Sequence, residues 1–172
     1  GNNATNSGAI IDNNGKIGKC YSFTTSSLTL NSPIDNFTNL TISFWMLSSQ
    51  SNVAVISENT TNFNANNSYM FWTNEATVGK IQFGYHSTIH TIVTSTTTVN
   101  DGKWHHICGC ISKKSIGFII SLYVDGVLNA STTTTNPYNY YTSGNIYIGS
   151  RASTSYFYNG KINDFRIYNG VL

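Results

Sequence analysis

The sequence predicts an antiparallel β-sandwich or β-barrel, and three observations lead to this fold class. Most apolar segments are short, rich in β-branched and aromatic residues, and separated by turn residues at intervals of roughly 8–15 positions. No segment carries an apolar stripe of helical period over three turns. The 172 residues are 40% hydrophobic and 13% aromatic, so they can bury enough area to form a sizeable core. We expect about 11–14 strands and at most one or two short helical turns.

A series of segments follows the strand pattern. In chain order they are Leu40–Leu47, Asn52–Ser57, Ser68–Thr73, Gly79–Tyr85, His90–Ser95, Trp104–Ser112, Ile116–Val124, Asn145–Ser150 and Lys161–Tyr168. The dipeptide Asp125-Gly126 predicts a two-residue hairpin turn between two of them. The Thr-rich tract Ser131–Tyr141 predicts a strand end that leads into a long loop. No repeat or linker divides the chain, which indicates one domain over residues 1–172.

The charge pattern argues against two classes of partner. Charged residues make up 9% of the chain, the net charge is +2, and Lys113-Lys114 is the only adjacent pair of cations. No basic stripe is therefore available for nucleic acid. The longest nearly apolar run, Ile116–Val124, is too short to span a bilayer. Neutral Asn, Ser and Thr side chains are expected to solvate the surface.

The stretch Asn100–Cys110, NDGKWHHICGC, raises the question of a metal or thiol site. In a strand, His106, Cys108 and Cys110 share one face at steps of about 6.5–7 Å, whereas tetrahedral zinc needs ligands less than about 4 Å apart. We therefore expect no zinc between Cys108 and Cys110 and no bond between them, and interpret both as packing residues. A bridge from Cys20 to either one stays open. His106 is interpreted as a hydrogen-bonded core residue rather than a catalytic base.

The sequence offers no catalytic motif. Glu58 and Glu75 are the only two glutamates, and no strand carries the clustered carboxylates that glycoside hydrolysis usually needs. A G-x-S-x-G elbow, a P-loop and H-E-x-x-H are all absent from the sequence. The prediction is a protein that is not an enzyme. Trp45, Trp72 and Trp104 fall in mid-strand positions and are predicted to be core residues.

An ordered set of motifs resembles the laminin-G-like members of the concanavalin A-like lectin/glucanase superfamily. The segments are GKIGKCYSF, LTISFWM, DGKWHHICGCIS, LYVDGVLNAS, NIYIGS and FYNGKINDFRIYNGVL. Each motif alone is weak, but together they cover Gly15 to Leu172 in the family's order. Residues 1–14 are then expected to be a less regular lead-in. The resemblance implies a two-sheet antiparallel jelly roll, with its first and last strands side by side, that serves as a module of a larger protein.

The resemblance also implies a possible Ca²⁺ ion near the end strands. Asp164 matches a frequent acidic position of the closing motif and is the first expected metal ligand, with Asp12 as the second. The family often carries acids after its opening strand, where this sequence has Thr24–Ser27 instead. Calcium takes six to eight oxygens, so this departure weakens the calcium expectation. In the same closing motif, Ile162 and Phe165 are out of phase, and a bulge would return both to the core.

Two aromatic-rich loops are candidates for ligand binding. Aromatic rings offer flat faces for the apolar C–H faces of sugars, and tyrosine adds a hydroxyl. The expected contacts are Tyr138, Tyr140 and Tyr141 in the first loop, Tyr156 and Tyr158 in the second, and Arg151 as a donor. The alternative is that these tyrosines cover the edge of the core. The two loops flank the strand NIYIG and are expected at its opposite ends.

These observations predict a non-catalytic carbohydrate-binding or adhesion module that recognises a cell-surface or polymeric glycan. The expected setting is extracellular, at a cell surface or on a virion, as part of a secreted bacterial protein or a phage or viral fibre. Neighbouring domains or subunits of a larger assembly are the other expected partners. Two alternatives stay open, namely a structural or assembly module without glycan binding and a glycan-cleaving enzyme of the glucanase-like fold.

Overall fold

Two seven-stranded antiparallel sheets pack face to face in the computed structural model, which describes residues 4–31, 38–58, 68–73, 78–86, 89–136 and 144–172. The first sheet contains, in spatial order, β1 (Ala4–Ser7), β4 (Ser27–Leu30), β13 (Ile146–Ile148), β6 (Val53–Glu58), β7 (Ser68–Thr73), β8 (Ile81–His86) and β9 (Thr91–Thr94). The second contains β12 (Val127–Thr134), β11 (Phe118–Val124), β10 (Trp104–Lys113), β5 (Asn39–Leu47), β14 (Gly160–Tyr168), β3 (Cys20–Phe23) and β2 (Ile10–Asp12). The described residues contain these 14 strands and no helix. The predicted sandwich is confirmed, and among these residues no helix is present that could cross a membrane.

Side-chain alternation along the strands builds one core between the sheets. In β5, alternate residues such as Ile42 and Phe44 are fully buried, because every second side chain of a strand points to the same face. Phe44 meets Phe71 edge to face at 5.0 Å, and Phe71 stacks on Phe83 at 4.4 Å, so aromatic rings bridge the two sheets. A Cβ added at Gly109 would lie 2.6 Å from Phe71 and 2.7 Å from Phe83, so these rings fill the space that a side chain on β10 would need.

Two local predictions are confirmed. Asp125 (φ 52°) and Gly126 (φ 80°) both adopt the left-handed conformation, as a type I′ hairpin between β11 and β12 requires. In β14 the pairing with β5 shifts register between Asn163 and Arg166. This bulge lets Ile162 enter the core and Phe165 pack against it.

The lead-in is more regular than the sequence analysis expected. Its β1 pairs with β4 at one edge of the first sheet, and its β2 pairs with β3 at one edge of the second. The sequence pattern does not predict these strands, because β1 is exposed along its length and Ile10 and Ile11 in β2 are exposed too. Without a buried face, an edge strand shows no apolar alternation. The last strand β14 lies directly beside β3, as the resemblance implied.

Candidate functional site

The segment from Ser150 to Asn159, here called the cover loop, crosses the outer face of the first sheet. The backbone N–H of Ala54 on β6 donates to the carbonyl of Tyr156 at 3.0 Å. The hydroxyls of Ser27 on β4 and Ser153 in the loop are hydrogen-bonded at 3.0 Å. Contacts to two different strands fix the loop in one position on the sheet.

An aromatic and cationic cluster forms where the cover loop meets the sheet. The Tyr156 ring packs edge to face on Trp72 of β7, with ring centroids 4.7 Å apart. The guanidinium of Arg151 lies 4.5 Å from the centroid of the Tyr156 ring, which is cation–π geometry. Trp72 belongs to a small apolar cluster with Ala54 and Met70, separate from the main core. Tyr156 is 39% exposed, so this group presents a partly open aromatic surface beside a cation.

The cover loop stores backbone strain at this cluster. Ala152, Ser153 and Tyr156 have φ values of 53°, 57° and 50°, and all three are non-glycine residues in the left-handed region. Such conformations cost about 1 kcal/mol or more each and persist only where the surroundings impose them. The hydrogen bonds to β4 and β6 impose them here. The concentration of strain in one loop motivates the hypothesis that this loop carries function.

Tyr158, a predicted ligand contact, instead has the position of a core residue and offers no exposed surface to a ligand. The side chain is fully buried at the foot of the cover loop, and its ring lies 6.2 Å from Phe23 in an edge-to-face contact. Its hydroxyl lies 3.0 Å from the carbonyl of Leu47 and 3.2 Å from that of Lys161, and donates a hydrogen bond there. Burial raises the pKa of this phenol well above its usual range. Tyr158 therefore holds the loop to the second sheet.

Among the other predicted ligand contacts, the structure brings Arg151 and Tyr156 together. Tyr138, Tyr140 and Tyr141 lie outside the described residues, and their roles stay predictions. Trp72 is buried, as predicted, but it packs in the small cluster under the cover loop rather than in the main core, and the sequence analysis did not foresee this position. Its strand, SYMFWT, is apolar on both faces, so alternation alone does not show that Trp72 and Met70 point away from the core. A side chain that packs under a loop gives the same pattern as one that packs between sheets.

The two predicted calcium ligands each bind a cation of β14. Asp12 lies 2.7 Å from the ammonium of Lys161, and this hydrogen bond lowers the pKa of Asp12 below its usual range. Asp164, at the bulge, lies 2.8 Å from Nε of Arg166. The described part of the chain gathers no group of three His, Cys, Asp or Glu side chains that could hold a metal. Calcium also takes backbone and amide carbonyl oxygens and water, so its binding here stays a prediction from the resemblance.

The outer face of the second sheet carries a row of polar, aromatic and sulfur side chains. Lys16 lies 4.9 Å from the ring centroid of Trp45, whose ring lies 5.2 Å from that of His106. Trp45 is only half-buried and lies on this outer face, so its assignment to the core is wrong. His106 is half-buried on the same face rather than in the core, and burial lowers its pKa. Loss of solvation disfavours the charged imidazolium.

Cys108 and Cys110 continue this row, and both are free thiols, as is Cys20. They are not bonded to each other, as predicted, but their sulfur atoms are only 4.0 Å apart. The strand spacing used for that prediction describes the backbone, whereas the two side chains lean toward each other. The hydrogen bond between the two thiols lowers the pKa of Cys110 and raises that of Cys108.

Asp101 and Asp125 hold His105 between them at the start of β10. Nδ1 of His105 lies 2.7 Å from Asp125, and Nε2 lies 3.1 Å from Asp101. Asp101 also accepts the backbone N–H of Lys103 in its own turn, and Asp125 accepts the backbone N–H of His106 on β10. The Lys103 N–H, with the hydrogen bond from His105, lowers the pKa of Asp101 to about 2. This arrangement joins the turn at Asp101 to the predicted hairpin turn at Asp125-Gly126.

A family comparison matches most of the chain. A laminin G family model, described as Concanavalin A-like lectin/glucanases superfamily, matches residues 22–172. Among curated protein sequences, none matches this chain.

Solved structures with the same fold include domains of several larger proteins. Domain 4 of AbnA, a GH43 extracellular arabinanase from Geobacillus stearothermophilus, in complex with arabinotriose, matches with a TM-score of 0.75 at 18% identity, over 96% of this chain and 77% of that one. Domains LG4-5 of the mouse laminin α1 chain match with a TM-score of 0.64 at 16% identity, over 87% and 40%. The receptor binding domain of botulinum neurotoxin C/D mosaic serotype matches with a TM-score of 0.70 at 15% identity, over 99% and 44%. This chain thus spans less than half of the last two, and at these identities the likeness shows the fold alone.

Proposed function

Since this chain belongs to the laminin G group of the concanavalin A-like lectin/glucanases superfamily, we propose that it is a non-catalytic carbohydrate-binding module. Its ligand is a glycan on a cell surface or a polymer, and its setting is extracellular or on a virion. The proposed contact surface is the exposed ring of Tyr156 in the cover loop, with Trp72 packed beneath it and Arg151 beside it.

The observation that carries this proposal is the geometry of Tyr156. Its ring is held by Trp72 at 4.7 Å in a loop that the sheet fixes, while 39% of the residue remains exposed. A fixed aromatic edge loses little conformational entropy when a sugar's apolar face packs on it. Arg151, beside the ring, can donate several hydrogen bonds to sugar oxygens. Tyr138, Tyr140 and Tyr141 stay proposed as additional contacts.

The placement of the acidic residues supports a role without hydrolysis. Two carboxylates about 5–10 Å apart across a substrate cleft are the usual requirement for cleaving a glycosidic bond. Asp12 and Asp164 each pair with a cation of β14, and the ring of His105 separates Asp101 from Asp125. These four carboxylates therefore already take part in ion pairs and turn contacts.

Two of the structural neighbours support the choice of ligand class. The arabinanase domain was solved in complex with arabinotriose, and the toxin fragment is a receptor binding domain. Both are modules of larger proteins, which suits a role in attaching a longer chain to a surface. We extend this role to the present chain as part of the proposal.

A glycan array that includes arabino-oligosaccharides, followed by calorimetry on the best ligand, tests the proposal. Tyr156→Ala is expected to remove an aromatic contact worth roughly 1–3 kcal/mol, judged from the burial of comparable apolar area. That loss corresponds to about five- to over a hundredfold weaker affinity. Tyr168→Ala is the matched control, because it removes a half-buried tyrosine from the second sheet. Equal affinity of Tyr156→Ala and wild type for the same glycan would contradict the site.

An assembly surface is a second candidate function, supported by exposed isoleucines. Ile10, Ile11 and Ile17 are 65%, 60% and 57% exposed in and next to the short edge strand β2. Apolar side chains grouped at a sheet edge are typical of contacts with another domain or subunit. A negative glycan array together with self-association of the chain would favour this function over carbohydrate binding.

A further inference from the structure

The thiol pair on β10 lies apart from the cover loop, on the opposite side of the sandwich. Cys108 and Cys110 occupy alternate positions of the strand, so both face outward from the second sheet. Their sulfur atoms are 4.0 Å apart, and the Thr41 hydroxyl on the neighbouring strand lies 3.6 Å from the sulfur of Cys110. The carbohydrate-binding proposal makes no use of this pair.

A ligand can reach the two sulfur atoms through a groove. This groove of about 200 Å³ is lined by His106, Cys108, Cys110, Tyr123, Gly126 and Leu172. Cys108 is half-buried and Cys110 is 5% exposed, so one thiol faces the opening and the other lies deeper. A dehydrated ion or small metal complex could enter, whereas the thiols are shielded from larger reactants.

The number of donor side chains and the distance between the two sulfur atoms restrict which metal ion can bind. A tetrahedral zinc site needs four donors, and although His106 lines the groove, the described residues form no group of three His, Cys, Asp or Glu side chains that could hold a metal. With metal–sulfur bonds of roughly 2.3 Å, two sulfurs stand about 3.8 Å apart in a tetrahedral arrangement and about 4.6 Å apart in a linear one. The observed 4.0 Å lies between them, within reach of small side-chain rotations. Soft thiolates select copper(I) over harder divalent ions.

We propose that Cys108 and Cys110 form a two-coordinate binding site for a soft monovalent d¹⁰ cation, copper(I) or its congener silver(I). Each thiol releases its proton to solvent, and each sulfur donates an electron pair to the ion. One cation therefore enters as two protons leave, and no redox step takes place. The strand holds both donors on one rigid frame, which favours chelation by a single chain over bridging between two chains.

Anaerobic titration of the reduced chain with copper(I), against a chromophoric copper(I) chelator, tests this site. We expect one ion per chain. Cys108→Ser should weaken binding by roughly 10²–10⁴-fold, the usual gain from holding a second donor on the same frame. Cys20→Ser is the matched control, since Cys20 is the third free thiol and does not line the groove. Unchanged affinity in Cys108→Ser, or an equal loss in Cys20→Ser, would overturn the proposal.

X-ray absorption at the copper edge of the wild-type complex gives a readout that does not depend on any variant. Two sulfur neighbours and no nitrogen or oxygen neighbours are expected. Three or more donors, or zinc bound as tightly as copper(I) in a parallel titration, would contradict two-coordinate binding.

Discussion

The two outer faces of the sandwich differ in how they use the same kind of strand. On the first face, the cover loop crosses the sheet and leaves Trp72 only 8% exposed beneath Tyr156. On the second face, Trp45 is half-buried and lies beside Lys16 and His106. The comparison teaches that a sheet surface becomes a shaped site when a connecting loop is fixed across it. On the outer face of the second sheet, the surface instead consists of the outward-pointing side chains of the strands, which include the thiol pair Cys108 and Cys110.

The largest difference is expected between the core residue that anchors the cover loop, Tyr158, and the tryptophan on the outer face of the second sheet, Trp45. Tyr158→Ala should lower the free energy of unfolding by about 3–5 kcal/mol, because it empties a fully buried site that ties the cover loop to the second sheet. Trp45→Ala should cost about 1–2 kcal/mol, because the side chain is only half-buried. Urea denaturation of both variants measures the difference. Equal losses would show that the second face is as firmly packed as the first.

A smaller difference is expected from two glycines that share a left-handed backbone. Gly149 (φ +86°) precedes the cover loop, and an added Cβ would lie 2.4 Å from the ring of Phe23. Gly149→Ala should therefore cost about 2–4 kcal/mol, from backbone strain plus overpacking. At Gly126 (φ +80°) nothing lies within 4 Å of an added Cβ, so Gly126→Ala should cost about 1 kcal/mol.

Thermal and urea unfolding of the two alanine variants give this comparison directly. If Gly149→Ala is as stable as Gly126→Ala, the backbone at the start of the cover loop adjusts to the added Cβ without a further loss of stability. The first face would then be less rigid than its hydrogen bonds indicate.

The smallest effect on stability is expected from acidification, at the contact in which Asp101 and Asp125 hold His105. The folded-state pKa of Asp101 is about 2, because the Lys103 N–H and His105 stabilise its charged form, while an unfolded aspartate titrates near about 3.9. A depressed folded pKa gives stability that is present above about pH 4 and is lost as pH falls toward about 2. The difference in urea midpoint between wild type and Asp101→Asn should therefore shrink over this range. A difference in urea midpoint that stays constant from pH 5 to pH 2 would show that ionisation of Asp101 does not contribute to stability.

Much of the fold follows from short-range patterns in the sequence. The segment Ser68–Thr73 and the Asp125-Gly126 turn are correct because alternation and turn chemistry are local properties. The out-of-phase Ile162 and Phe165 predicted the bulge for the same reason. Residues 1–14 were expected to be less regular because exposed edge strands bury no face and so leave no pattern.

The candidate site depends on contacts that the sequence does not show. Tyr156 and Tyr158 are two residues apart and of the same type, yet one is 39% exposed and the other is fully buried. Their difference in exposure arises from the left-handed backbone of the cover loop, and no residue type in that segment predicts this conformation. The convergence of Cys108 and Cys110 likewise depends on side-chain rotamers rather than on strand spacing.

The position of β14 has a consequence for the order in which the chain can fold during synthesis. This strand comes last among the 14 described strands, yet it lies between β5 and β3 in the interior of the second sheet. Until residues 160–168 leave the ribosome, β5 and the β2–β3 pair lack the partner that joins them. The second sheet therefore closes only after the 13 preceding strands have been made. Its unpaired edges must stay protected from other chains until then.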